Sequence, residues 1–263
     1  MKKILIIGGT GFIGFNIAKK LQKKSNYVIH IADNLSRGQL DNYILDLISH
    51  KNVKFIEGDF TLSSSFNLLD NNYDYVYMLA SIVGVNNTLE KPDQIIRVNS
   101  LLVIQTLDWI KKSSVKKVVY TSTSENYAGT IDTFGFTIPT PETIPLTISE
   151  ISHPRFTYAV TKILGESAFL NYSKIYDFEA CIIRYHNVYG PRMGFKHVIP
   201  HLAERFISNE SPFKIYGAEQ TRAFCFIDDA VEGTILAMEN DKTNDEIIHI
   251  GTQEEITIDE LVR

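Results

Sequence analysis

Lys3-Ile4-Leu5-Ile6-Ile7-Gly8-Gly9-Thr10-Gly11-Phe12-Ile13-Gly14 is the stretch whose reading decides the fold of this chain. Lys3 to Ile7 is nearly continuous in apolar, β-branched residues, as in a strand buried on both faces of a parallel sheet. Three glycines at Gly-x-x-Gly-x-x-Gly spacing follow directly, and Phe12 opens a helical pattern that runs to Lys24. Gly8 permits the tight turn, Gly11 lets the backbone approach a pyrophosphate, and Gly14 lets the helix close on the strand. The helix N-terminus supplies free N–H groups and positive potential. A glycine triplet alone says little. Here the strand before it, the helix after it and an acid at the end of the second strand all point to a bound dinucleotide. That acid, Asp33, can accept both ribose hydroxyls and repel a 2′-phosphate, which favours NAD over NADP. Arg37, in Asn34-Leu35-Ser36-Arg37-Gly38, weighs the other way, since an arginine there can welcome that phosphate. Asp59, after the third strand, would sit near the adenine or serve as a plain helix cap.

Outward from this loop the first half alternates strands and helices. Tyr27 to Ala32, Val53 to Glu57, Tyr75 to Leu79 and Lys117 to Ser122 read as further strands, with helices from Pro92 to Ser113 and from Arg155 to Ile175, then a strand from Phe178 to Tyr185. This rhythm predicts an α/β fold, a Rossmann-type doubly wound parallel sheet with right-handed crossovers. Residues 128–155, with four prolines, read as loop. From Gly190 the elements shorten, so the expected division is a dinucleotide-binding domain over 1–189 and a smaller substrate-binding lobe over 190–263. Thr257 to Val262 reads as a capped helix just starting, so the lobe is expected to be truncated at its C-terminus.

Composition excludes several classes. With 263 residues, 44% hydrophobic, 22% charged and a formal net charge of −5, the chain is an ordinary globular protein with no electrostatic footprint for nucleic acid. No apolar run approaches a membrane span. Met1-Lys2-Lys3 and the apolar run after it look superficially like a signal peptide, but the glycines interrupt it and no small-residue cleavage site follows. The cytoplasm is therefore the expected location. Cys181 and Cys225 each sit in a strand-like run (Glu179 to Tyr185, Ala223 to Ile227) and read as buried free thiols. His197 and His201 stand four apart with no evident third ligand, so no metal is expected. His186 reads as a pocket wall or packed core residue.

Tyr158-Ala159-Val160-Thr161-Lys162 puts a phenol and an ammonium on one helical face. A cation one turn away, with a positive nicotinamide ring, would lower the phenol's pKa toward use as a base. Ser122-Thr123-Ser124-Glu125 ends a strand at the carboxyl edge of the sheet, where ligands bind in this architecture; its hydroxyls could orient a substrate oxygen, or Ser122 could be a simple cap.

In combination these residues resemble the extended short-chain dehydrogenase/reductases that modify nucleotide sugars, the NAD-dependent epimerase/dehydratase group. The resemblance runs through Leu79-Ala80-Ser81, Asn99, Arg184-Tyr185-His186-Asn187-Val188-Tyr189-Gly190-Pro191-Arg192 and Gln220-Thr221-Arg222-Ala223-Phe224. It implies Tyr158 as base, Lys162 as its modulator and ribose ligand, and Thr123 as hydroxyl partner of the sugar O4. Phe12, Ile13, Asn34, Ser36, Arg37, Asp59, Phe60, Leu79, Ala80, Ser81, Asn99, Ser122, Tyr185 and Val188 would complete the cofactor pocket. Ser124, Asn187, Val198, Ile215, Tyr216 and Arg222 would hold the sugar nucleotide. It also implies a homodimer through the two long helices.

The family's shared first step is oxidation at sugar C4, after which the ketone can be re-reduced on the other face, lose water, or lose carbon dioxide from a C6 carboxylate. Glu125 is a second acid/base next to Thr123 and favours elimination or decarboxylation, since epimerisation at C4 needs none. Glu125 could also be structural. Ser124 and Asn126-Tyr127-Ala128-Gly129 depart from the usual dehydratase pattern, which leaves a 4-epimerase as the alternative. The rival from another class is a Rossmann module that senses NAD(P) without catalysis; such proteins commonly lack the Tyr/Lys pair present here.

Overall fold

The computed structural model describes every residue but Lys196, and of Val85 the backbone alone. The first half runs β1 (Lys2–Ile7), α1 (Phe12–Gln22), β2 (Tyr27–Asp33), α2 (Asn42–Ser49), β3 (Val53–Glu57), β4 (Tyr75–Met78), α3 (Val85–Glu90), α4 (Pro92–Ile110) and β5 (Lys117–Thr123). The second runs α5 (Ala128–Phe134), α6 (Phe156–Ser173), β6 (Glu179–Tyr185), β7 (Val188–Tyr189), α7 (Val198–Ile207), β8 (Thr221–Ala223), β9 (Cys225–Phe226), α8 (Ile227–Glu239), β10 (Glu246–Ile250), β11 (Glu255–Thr257) and α9 (Ile258–Val262).

Seven strands form one parallel sheet in the order β3-β2-β1-β4-β5-β6-β10. Its pleat sorts the apolar residues into two cores. Ile31, Ile6, Tyr77, Val119 and Cys181 pair across five strands and face one core; Ala32, Ile7, Met78, Tyr120 and Ile182, one residue on, face the other. Each Ile, Val or Met among them, fully buried, contributes about 1.5–3 kcal/mol. Helices α1 and α8 pack together over the first core, α4 and α6 over the second. With both faces covered, the strands read as the continuous apolar runs seen in the sequence. The strand order reverses between β1 and β4, and that reversal opens a crevice at their carboxyl ends.

Several elements depart from the sequence-based expectations. The division expected at residue 190 separates in sequence what the sheet joins in space, because α8 and β10 return to the large sheet and β10 pairs with β6. Ala223 to Ile227 is not one strand: β8 ends at Ala223, Cys225 and Phe226 pair with β7, and α8 begins at Ile227. Asp228 and Asp229 in the first turn of α8 favour that early start. The segment taken as loop holds α5, where Gly129 lies so close to the Thr147 carbonyl that a Cβ would come within 2.1 Å of it. Cys181 and Cys225 are buried free thiols. Among the described residues, no helix is long and apolar enough to cross a membrane.

Lys117 ties the returning segment to the sheet. Its side chain is buried, and Nζ donates to Ala237 O at 3.0 Å, Asn240 O at 2.8 Å and Thr243 Oγ1 at 2.9 Å, capping the carboxyl end of α8. Burial lowers its pKa from the ordinary lysine value. Lys117→Met forfeits charge-assisted bonds of about 1.5–3 kcal/mol and is expected to lower the thermal midpoint by several degrees with the far-ultraviolet dichroism unchanged.

Candidate active site

A cavity of about 680 Å³ lies at the carboxyl ends of the strands and runs from the glycine loop to α6 and the start of α7. At one end, α1 begins at Gly11 with no side-chain cap and no acid in its first turn, and Gly11, Phe12, Ile13 and Gly14 all line the cavity. Such a helix start suits an anion. Gly8 has φ +87°, and a Cβ on it would fall 2.6 Å from Ala80 N; a Cβ on Gly14 would fall 2.4 Å from Gly8 O. Gly11 meets only Gly8 O, at 3.2 Å, so the absence of a side chain there leaves room on the cavity side. Asp33 is locked at the rim, Oδ2 accepting from Thr10 N at 3.0 Å and Oδ1 from Leu35 N at 2.9 Å. Asn34 Oδ1 accepts from Ser36 N, and Asp59 Oδ1 accepts from both the backbone and the hydroxyl of Thr61. An uncapped helix start, a carboxylate at the end of β2 and an open glycine between them fit a dinucleotide.

At the other end, Thr123, Ser124, Glu125, Tyr158 and Lys162 share one wall region of the cavity. Thr123 ends β5, and a 3₁₀ turn over Ser124–Tyr127 follows, begun by Thr123 Oγ1 accepting from Glu125 N at 3.2 Å. Glu125 Oε2 lies 3.4 Å from an Arg155 nitrogen, and Arg155 also lines the cavity. Tyr158 and Lys162 stand one turn apart on α6. Lys162 Nζ donates to Thr121 O at 2.8 Å and sits 4.9 Å from the Tyr120 ring centroid and 5.8 Å from that of Tyr158.

The expectation for the phenol joined two charges, Lys162 and a positive nicotinamide ring, and the surroundings of Tyr158 add a third influence. Burial pushes Tyr158 well above the ordinary tyrosine value; the charge of Glu125 adds to the rise and that of Arg37 opposes it. Burial also brings Lys162 down to about 7, against the opposing charge of Glu166. Desolvation disfavours the charged form of each group, and the chain alone supplies too little opposite charge to offset it.

Of the other residues singled out in the sequence, Phe12, Ile13, Asn34, Ser36, Arg37, Asp59, Phe60, Leu79, Ala80, Ser81, Ser122, Tyr185, Asn187, Val188, Val198 and Arg222 line the cavity. Arg37 turns toward the segment after β7, where a methyl group on Gly194 would lie 3.0 Å from its Nη2. Three fall elsewhere. Asn99 is buried behind the wall, its amide bonded to both backbone groups of Ile82 and to Thr161, so it fixes the loop after β4 from behind. Ile215 and Tyr216 line a separate cavity of about 280 Å³ that, among the described residues, shares only His197 and Val198 with the first. The start of α7 stands between the two. His186 is packed against Tyr127 and His249 beneath the site, and burial lowers its pKa to about 4. The sequence reading missed Arg155, Met193 and Phe224 in the wall and Glu166 below it. Glu166 had a signal, since it follows Lys162 by one more helical turn on the face of Tyr158.

The model of the NAD dependent epimerase/dehydratase family matches residues 4–251. A UDP-N-acetyl-alpha-D-glucosaminuronate decarboxylase of Bacillus cytotoxicus is 35% identical over all of this chain and 78% of its own length. A putative UDP-glucose 4-epimerase of Methanocaldococcus jannaschii is 29% identical over 98% of this chain and 79% of its own. Among solved structures, a UDP-glucuronic acid 4-epimerase from Bacillus cereus, in complex with UDP-glucuronic acid and NAD, superposes with a TM-score of 0.81 at 30% identity, covering 97% of this chain and 79% of that one. The uncapped helix start, the acid at the end of β2 and the Tyr/Lys pair of α6 thus stand in a chain that belongs to the NAD-dependent epimerase/dehydratase family and is an enzyme of that family.

Proposed function

We propose that the chain binds NAD and a nucleotide-linked sugar acid, oxidises the sugar at C4 and releases its C6 carboxylate as carbon dioxide. The observation that carries this reading is Glu125, a carboxylate in the cavity wall two residues from Thr123, with the Arg155 guanidinium beside it. Re-reduction at C4 alone uses no such group, whereas loss of the C6 carboxylate needs a proton donor at C5. Arg155 offers a forked cation that a sugar carboxylate can share with Glu125. Similarity to a decarboxylase over the whole chain supports the same exit.

Tyr158 takes the proton of O4 while Thr123 orients that oxygen. NAD, when bound, supplies the capacity to take the C4 hydride and return it. The new ketone lies β to the carboxylate, so the C5–C6 bond can break with its electrons moving onto the C4 oxygen, and Glu125 relays a proton to C5. Tyr158 then returns its proton to O4. Asp33 at the ribose end favours NAD over NADP, and Asn187 and Arg222 would hold the diphosphate of the substrate. A positive nicotinamide ring would oppose the burial that holds Tyr158 neutral.

Pairing of α4 and α6 between two copies would form a four-helix contact. Ile96 and Ile104 on α4 and Val160 and Leu164 on α6 are exposed in the single chain. Light scattering is expected to give twice the chain mass; the single-chain mass at micromolar concentration would contradict the pairing.

Tyr158→Phe is expected to lower turnover by at least about a hundredfold, the scale of a lost general base, while cofactor affinity changes little. The exit is read by mass spectrometry of products from a panel of uridine-linked sugars and sugar acids. Loss of carbon dioxide supports the proposal, and loss of water or an unchanged mass in every case overturns it.

A further inference from the structure

Below the cavity wall lies a group of charges that the proposed chemistry does not touch. Glu166, on α6, and Arg184, on β6, are both almost fully buried, at 3% and 2% exposure, and neither lines the cavity. Arg184 Nε donates to Glu166 Oε1 at 2.8 Å and Nη2 to Oε2 at 2.7 Å. Oε1 also accepts from Ser122 Oγ at 2.5 Å and from Asn126 Nδ2 at 2.7 Å. Ser122 and Asn126 bracket the three residues Thr123, Ser124 and Glu125 that face the cavity. Tyr158, Lys162 and Glu166 follow one another at single-turn spacing along one face of α6. One carboxylate therefore joins the end of β5, the turn after it, β6 and the helix of the Tyr/Lys pair.

Such an arrangement is a poor way to gain stability. Removing two charges from water is costly, and an apolar pair of the same volume often does as well or better. The cost here extends to Asn126, whose Oδ1 is buried with no hydrogen-bond partner among the described residues because its Nδ2 is spent on Ser122 and Glu166. An orphaned buried acceptor calls for a reason. Geometry supplies one, since the bonds fix the turn and the helix relative to each other at the place where their side chains must meet.

We infer that Glu166, seated on Arg184, is a positioning residue that holds the Ser122–Asn126 turn and α6 in register, so that Thr123 and Glu125 face Tyr158, and that its carboxylate, one helical turn from Lys162, is the counter-charge of that ammonium. The positioning half of this rests on the reaction proposed above. The charges and titratable groups facing Lys162 are Tyr158 and Glu166 from its own helix and Tyr120 from β5, with Arg184 of β6 behind Glu166. Of these, Glu166 is the one that raises the Lys162 pKa against burial. The sign follows. Lys162 loses its charge as pH rises through a value near 7, and without the Glu166 charge it loses it at lower pH.

The test compares wild type with Glu166→Gln, which keeps the shape and removes the charge, and with Glu166→Gln combined with Arg184→Gln, which leaves no unpaired guanidinium. Lysine labelled with carbon-13 at Cε reports the Lys162 titration in the cofactor-free protein, Lys162→Met assigning its signal. Turnover of the sugar substrate is followed against pH. The inference expects Lys162 to titrate at lower pH in both variants, the alkaline fall of kcat to shift the same way, and kcat to drop about 10- to 100-fold with KM nearly unchanged, the scale of a small misplacement. The double variant is expected to recover thermal stability but not kcat. Recovery of kcat together with stability, or a Lys162 titration identical to wild type in folded Glu166→Gln, overturns the inference. Should wild type turn over no sugar nucleotide, the functional reading fails while the Lys162 titration still decides the role of the Glu166 charge.

Discussion

Gly14 passes the carbonyl of Gly8 so closely that one methyl group would have to sit 2.4 Å from that oxygen. This backbone approach sets where α1 starts, and with it the direction of its uncapped N–H groups into the cavity. Gly8 makes the matching approach to Ala80, which joins the turn after β1 to the loop after β4. These are the two strands between which the sheet order reverses, so the contact that seats the helix also defines the crevice. The sheet then carries Thr123 at the end of β5 and Asp33 at the end of β2 to opposite ends of one cavity.

At the reacting end, desolvation is the dominant force. It raises Tyr158 and lowers Lys162, which favours the neutral form of each. Low-dielectric walls around the two groups make each neighbouring charge count for more. Glu125 and Arg37 already pull Tyr158 in opposite directions, and Glu166 holds Lys162 from below. The site thus sets a few discrete charges around a phenol in the cavity wall and a buried amine.

Much of this was legible in the sequence because strands buried on both faces and a glycine turn leave strong local signatures. The strands from Lys2 to Tyr185 and both long helices fell within a few residues of their expected bounds. What escaped was non-local. Strand β10 lies in the segment assigned to the lobe, and only pairing with β6 makes it the seventh strand. Asn99 carries a motif position, yet its amide is consumed by Ile82 and Thr161, which no spacing reveals. Ile215 and Tyr216 are separated from the main cavity by the start of α7, a matter of tertiary placement. The direction of the Tyr158 shift also required the tertiary surroundings, since the sequence shows the nearby lysine but not the packing that desolvates the phenol.

In the proposed reaction the cavity oxidises a sugar at C4 and Glu125 serves the loss of the C6 carboxylate. Running the reaction on a uridine-linked sugar acid in heavy water, with NAD present, tests it most directly. The account predicts release of carbon dioxide with one deuterium fixed at C5 of the product, and loss of that release in Glu125→Gln. A product that keeps its carboxylate and carries only protium at C5 would contradict it.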